Sequence, residues 1–334
     1  MSSAPNGKFL VVGCGSIGRR HLGNLQSLGV DEIIAFDVVE ERRNAVVEKF
    51  QVPVYADYEE ALSQGVRAVL ICSPTRLHLE QSLQAARVGC HLFIEKPIAT
   101  SLEGLDELAN LVQVNHIKTL VGCNFRFHPG LQKVKSLLQT GTIGNIVSAR
   151  AQFGQYLPSW HPWEDYRQGY SARRDLGGGV LLDRIHELDY VRWLLGDVSS
   201  VAGLIGKLSH LEIDTEDTVD LLLGFFGGYF GTVHVDYVRR TYDCSFEVVG
   251  DQGTIQWSFQ DHKVRWFTAE DNCWHSQEWP KYEVNSMYLD QFRHFFRLLE
   301  EQESSMADVS EGARVLEIAL AARQSADQGK VVRL

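Results

Sequence analysis

Phe9-Leu10-Val11-Val12-Gly13-Cys14-Gly15-Ser16-Ile17-Gly18 is the stretch on which the reading of this chain turns. A short apolar run gives way at once to three glycines, and these open a helical pattern that continues through His21, Leu22, Leu25 and Leu28. In such a strand-turn-helix the first glycine permits the tight turn. The second lets the backbone approach a pyrophosphate, and the third allows close packing of helix on strand. The helix N-terminus adds N–H groups and a positive dipole. Gly13, Gly15, Ser16, Ile17 and Gly18 are therefore expected to hold a dinucleotide.

Working outward, the next strand ends at Asp37, about 20 residues downstream, where this kind of fold sets a carboxylate against the adenosine ribose hydroxyls. A 2′-phosphate would be repelled there, so the expected cofactor is NAD. NADP stays possible if the loop turns toward Arg42 and Arg43 at the start of the following helix. Strand candidates at Phe9–Val12, Ile33–Phe36, Val54–Tyr55, Ala68–Ile71, His91–Ile94 and Thr119–Val121 alternate with amphipathic segments, the pattern of successive βα units in a parallel sheet. The fold class expected is α/β, with an N-terminal doubly wound Rossmann sheet.

After Gly122 the pattern changes. A helix is expected near Leu131–Leu138, a strand near Ile146–Phe153, an aromatic loop, and one helix over Val180–Leu195. Strand-like runs follow at Val219–Phe226, Tyr229–Tyr237 and Phe246–Val249, parted by turn signals such as Gly227-Gly228 and Asp251-Gln252-Gly253. This is a C-terminal α+β domain with a large, mostly antiparallel open sheet. Helices near Tyr288–Leu299 and Glu311–Ala326 close the chain. The expected boundaries are 1–122 for the NAD(P)-binding domain and 123–334 for a substrate-binding and oligomerisation domain, whose last helix can pack back on the first.

The 334 residues exceed one ordinary hydrophobic core, which agrees with two domains. A hydrophobic share of 44% and a charged share of 22% are those of folded globular proteins. The formal net charge of -11 argues against a phosphate-backbone partner, hence no nucleic acid. No apolar stretch reaches the roughly 20 residues of a membrane-crossing helix, and nothing at the start reads as a secretory signal. Cys14, Cys72, Cys90, Cys123, Cys244 and Cys273 are scattered, without a CxxC pair or a Cys/His spacing suited to tetrahedral zinc. A cytoplasmic protein with reduced thiols and no metal is expected.

Glu95-Lys96-Pro97 follows the fifth strand, and the carboxyl ends of such strands form the ligand crevice. Lys96 is thereby aimed at the nicotinamide region. Ser73, Pro74 and His78, after the fourth strand, stand where a turn can close over the cofactor. The glycine turn, Glu95-Lys96-Pro97 and the later Gly177-Gly178-Gly179…Asp183…His186…Asp189 block resemble the Gfo/Idh/MocA oxidoreductases over nearly the whole chain. The resemblance implies that Lys96 contacts cofactor and substrate, and that Asp183 and His186 face the nicotinamide from the second domain. One departure is that many members separate this aspartate and histidine by four positions, against three here, which leaves the role of Asp183 open. The chemistry fits independently. Oxidising an alcohol needs a base for the hydroxyl proton and a cation for the developing alkoxide; an imidazole, with an ordinary pKa of about 6.5, suits the first task and Lys96 the second. Residues three apart on a helix share a face, so Asp183, His186 and Asp189 are expected to point one way.

The loop Tyr156-Leu157-Pro158-Ser159-Trp160-His161-Pro162-Trp163-Glu164-Asp165-Tyr166, followed by Tyr170, is crowded with rings whose flat faces suit a sugar, although the same rings can simply pin the loop by packing. Tyr156, Trp160, Trp163 and Arg173 are the expected substrate contacts, with Arg173 and Arg174 able to fork onto a phosphate or carboxylate. Asn124 and Arg126, just past the sixth strand, border the nicotinamide pocket, Asn124 toward the cofactor and Arg126 toward the substrate. The reading is an NAD(P)-dependent dehydrogenase of a sugar, nucleotide sugar or cyclitol alcohol. The alternatives are a non-catalytic NAD(P)-binding sensor or assembly protein, and a reductase of an imine or unsaturated ring. The resemblance also implies a homodimer or homotetramer built on the open sheet.

Overall fold

Buried strands explain the first half of the chain. In the computed structural model, which describes residues 5–160, 162 and 165–334, Phe9, Leu10, Val11 and Val12 of strand β1 (Lys8–Val12) are wholly removed from solvent. Strands covered on both faces read as continuous apolar runs, and each such side chain contributes about 1.5–3 kcal/mol of burial. The elements that follow are α1 (Ser16–Ser27), β2 (Ile33–Phe36), α2 (Glu40–Phe50), β3 (Val54–Tyr55), α3 (Tyr58–Leu62), β4 (Val66–Ile71), α4 (His78–Arg87), β5 (His91–Ile94), α5 (Leu105–Val114) and β6 (Thr119–Val121). All pairings are parallel, in the order β3-β2-β1-β4-β5-β6. This is the doubly wound Rossmann order, with the ligand crevice where the order reverses beside β1 and β4.

Then come α6 (Pro129–Gln139), β7 (Ile146–Gly154), α7 (Val180–Asp183), α8 (His186–Leu195), β8 (Val198–Gly206), β9 (Thr218–Phe225), β10 (Phe230–Asp236), β11 (Asp243–Gly250), β12 (Gly253–Ser258), β13 (Lys263–Thr268), β14 (Cys273–Glu278), α9 (Asn285–Leu299), α10 (Val309–Gln328) and β15 (Val332–Arg333). Nine strands form one sheet in the order β14-β13-β12-β11-β7-β10-β9-β8-β15, antiparallel except where β10 meets β7. Strand β9 shows the pattern that makes it one-sided: Val219, Leu221, Leu223 and Phe225 are buried while Asp220 and Leu222 face solvent.

The chain forms two compact units. The first runs up to Asn124 and takes up Asn285–Arg314 as well; the second comprises Phe125–Val284 and Val315–Leu334. The return of α9 has a packing cause. Phe292 stacks on Phe93 with centroids 5.1 Å apart, Phe295 meets the same ring edge-on at 5.7 Å, and Phe296 meets Phe9 at 5.9 Å.

Two sequence expectations need correction. The helix read over Val180–Leu195 is two helices, broken at Arg184 and Ile185. Arg184 leaves the helical path, its guanidinium 3.5 Å from the centre of the Phe153 ring and 2.9 Å from Glu187. Strand β14 went unread, because Cys273–Glu278 is an exposed edge with no apolar alternation.

Candidate active site

The turn after β1 is shaped by backbone contacts. Gly13 has φ +94°, and a Cβ there would lie 2.8 Å from both Cys72 O and Ser73 N in the turn after β4. A Cβ on Gly18 would lie 1.8 Å from Gly13 O, so only glycine lets α1 come this close. At Gly15 the same construction meets nothing within 4 Å. Gly15 is also the N-cap of α1, which has no side-chain cap and no acid in its first turn. Its first amides are thus left for an anion. Asp37, buried at the end of β2, accepts the Cys14 N–H at 2.7 Å through Oδ2 and the Val39 N–H at 2.8 Å through Oδ1. Arg43 donates to the carbonyls of Asp37 and Val38, and Arg42 stands 3.8 Å from the carboxylate. Burial, with Asp37 adding to it, pushes the Cys14 thiol up to about 12, which keeps this turn free of a thiolate. Open space, uncapped amides and a ribose-type acid together fit the adenosine diphosphate portion of NAD.

The turns after β4 and β5 are tied together. Fully buried His78 places Nε2 at 2.8 Å from Ser73 O and Nδ1 at 2.7 Å from Pro97 O, and burial lowers its pKa. His78 is therefore a brace beneath the loop, and the Ser73 hydroxyl donates to Gln81. Half-buried Lys96 follows Glu95, whose Oε2 accepts the Lys96 amide at 3.3 Å and whose Oε1 lies 2.7 Å from His21 Nε2. His21 has no solvent exposure, and its Nδ1 has no partner among the described residues. In the sequence His21 is one residue of a helix face; its position three past Gly18, one turn into α1, is the available signal. A Cβ on Gly122 would lie 2.9 Å from Glu95, which leaves the carboxylate little room to move. Buried Asn124 has an Oδ1 with no partner among the described residues, an acceptor suited to a cofactor amide.

In the second unit, Asp183 Oδ2 accepts hydrogen bonds from Ser171 Oγ at 2.6 Å and from Tyr237 Oη at 2.9 Å. Tyr237 is wholly buried, and burial and Asp183 both raise its pKa, so it stays a donor. Trp160 packs edge-on against the Tyr237 ring at 5.4 Å, which connects the aromatic loop to Asp183. Neither Ser171 nor Tyr237 was singled out from sequence; Tyr237 lies 54 positions from its partner. His186, largely buried at the start of α8, has its ring 5.0 Å from that of Phe125.

Asp189 lies one turn beyond His186 in α8. It is wholly buried and takes a forked pair of bonds from Arg126, at 2.7 Å to Nη2 and 3.1 Å to Nε, in a pair that is only 1% exposed. Arg126, expected at the substrate, is thus held by an acid of α8. Tyr156 lies under the Arg240 guanidinium at 3.5 Å. Arg173 ends on exposed Asp175 at 2.6 Å, beside a surface depression of about 720 Å³ that Arg167, Lys207 and His210 also line. Trp163 lies outside the described residues.

Residues 7–123 match the sequence model described as the oxidoreductase family with an NAD-binding Rossmann fold, and residues 131–256 match the GFO/IDH/MocA C-terminal domain. Myo-inositol 2-dehydrogenase of Thermotoga maritima is 29% identical over 97% of both chains. Among solved structures, levoglucosan dehydrogenase in complex with NADH and levoglucosan superposes with a TM-score of 0.89 at 20% identity, covering 99% of each chain. The WlbA dehydrogenase of Bordetella pertussis, in complex with NADH and UDP-GlcNAcA, gives 0.85 at 21% identity, covering 100% of this chain and 99% of its own. No described helix is long and apolar enough to cross a membrane.

Proposed function

The chain belongs to the Gfo/Idh/MocA oxidoreductases, NAD-binding enzymes with a Rossmann domain, and from that premise we propose that it moves hydride between NAD and a secondary alcohol of a sugar, nucleotide sugar or cyclitol. The observation that carries this reading is the glycine turn. Of its three glycines only Gly15 faces open space, next to uncapped amides and Asp37. Bound there, NAD supplies or accepts the hydride. The remaining chemistry belongs to the chain. His186 takes the hydroxyl proton, and Lys96, its backbone fixed by Glu95, stabilises the alkoxide charge. Asp183, anchored by Ser171 and Tyr237, orients a substrate hydroxyl, and Trp160 offers the flank of a ring. The substrate class draws on the relatives' own ligands and names: an inositol, an anhydrosugar and a nucleotide-linked sugar acid.

The test is reduction of NAD with a panel of cyclitols, free sugars, anhydrosugars and nucleotide sugars. Turnover of at least one is expected. Tight NADH binding without turnover of any would favour a cofactor-binding sensor.

Two further parts of the proposal concern the whole molecule. Leu204, Leu222 and Phe230 lie exposed on the solvent face of β8, β9 and β10, and this face is proposed to pair with a second copy of the chain. Light scattering should then give at least a dimer. Work in the reducing cytoplasm is proposed because no disulfide joins any of the described cysteines and five of the six are buried.

A further inference from the structure

The hairpin at the far edge of the nine-stranded sheet brings together three side chains of different donor chemistry. Strands β13 and β14 pair from Lys263↔Glu278 to Thr268↔Cys273, and the turn between them, with Asn272 at φ 54°, folds Asp271 back over the start of β14. Nε2 of His275 then lies 2.7 Å from Oδ2 of Asp271 and 3.4 Å from Sγ of Cys273. One donor atom from each residue lies within 4.8 Å of the other two. An imidazole nitrogen, a thiol sulfur and a carboxylate oxygen, each able to ligate a metal ion, thus lie side by side.

The set is held in place from outside. Oδ1 of Asp271 accepts from the Thr268 hydroxyl and the Cys273 amide, which turns Oδ2 toward the histidine. The His275 ring stacks on Trp266 at 5.5 Å and 19°, and Lys133 caps the same indole at 4.7 Å. Outer contacts of this kind orient ligands at metal centres. Bonds of about 2.3 Å to sulfur and about 2.0–2.2 Å to nitrogen and oxygen would require ligand edges of roughly 3.3–3.7 Å. A small outward movement of exposed side chains supplies that.

We propose that Asp271, Cys273 and His275 form a binding site for a borderline divalent transition ion of the Zn2+ type, with a fourth position open to water or to a ligand from another molecule. Thiolate and imidazole together select such an ion over Mg2+ or Ca2+. The Cys273 thiol releases its proton to solvent on binding, so affinity rises with pH. The site is independent of the hydride chemistry. The sequence has no CxxC pair and no Cys/His spacing suited to tetrahedral zinc, hence the expectation of no metal; the proposed site departs from it because a hairpin turn makes an Asp-x-Cys-x-His run into a ligand set.

Co2+ titration of the reduced, full-length protein tests this directly. One ion per chain is expected, with a thiolate-to-cobalt charge-transfer band that Zn2+ abolishes on displacing it. Cys273→Ser should remove the band, and His275→Ala and Asp271→Asn should each weaken Zn2+ binding at least about tenfold, with NADH affinity unchanged in all three as proof of folding. The other five cysteines are buried. A band that survives in Cys273→Ser, or no band in the wild-type protein, would overturn the proposal.

Discussion

The turn around Gly15 and the surroundings of Asp183 are made in opposite ways. The first rests on the backbone: Gly13 packs on the chain at Cys72 and Ser73, Gly18 on Gly13, and the Asp37 side chain on two backbone amides. The second is side chain against side chain, with Asp183 held by Ser171 and Tyr237 and Asp189 by Arg126. A site made of backbone depends on a few residues having no side chain, and those residues stand in one short stretch. A site made of side chains depends on partners from distant stretches, each of which must be present and fully paired.

The difference sets the order of expected effects. Asp189→Ala leaves the Arg126 guanidinium buried without its acid, and should cost about 3–5 kcal/mol in chemical denaturation. The double change Arg126→Leu with Asp189→Leu should recover much of this, and a single change without cost would remove the pair from the account. Gly18→Ala drives a methyl into Gly13 O and should cost about 1–3 kcal/mol, with loss of NADH binding. Gly15→Ala should alter stability by less than about 0.5 kcal/mol, since its Cβ meets nothing. It should nonetheless weaken NADH binding by about tenfold or more, equivalent to about 1.4 kcal/mol. Equal stability losses at the two glycines would contradict the backbone reading.

Smaller effects sharpen the contrast. Asp37→Ala loosens the turn for either cofactor, because it also removes the acceptor of the Cys14 amide. The ratio of kcat/KM for NAD over NADP is the telling quantity, and it should fall; an unchanged ratio would deny Asp37 a part in cofactor choice. The smallest effect lies on the open sheet. There, hydrogen bonds to Asp236 and Asp220 raise the pKa of His234 above the usual histidine range. A group raised in the folded state gives stability that is complete below the unfolded value of about 6.5 and is lost as pH climbs through the folded value. The Tm should therefore decline across that window, and His234→Gln should flatten the decline.

The same contrast explains what could be read in advance. Strands β1, β2, β5 and β6 are visible as buried apolar runs, and the glycine motif is local. The break at Arg184 is hidden because Val180–Leu195 keeps helical apolar spacing across it. Tyr237 and Arg126 find their acids 54 and 63 positions away, through contacts that no local pattern encodes. His21 was in plain view but reads as an ordinary core position until Glu95 is seen beside it.

The central claim, that Lys96 and His186 serve the reaction while the glycine turn serves binding, is tested most directly by parallel measurement of turnover and NADH affinity in Lys96→Ala and His186→Ala. Turnover should fall by about 10²–10⁴-fold in each variant while the NADH Kd stays within about twofold of wild type. Wild-type turnover in both variants would contradict it.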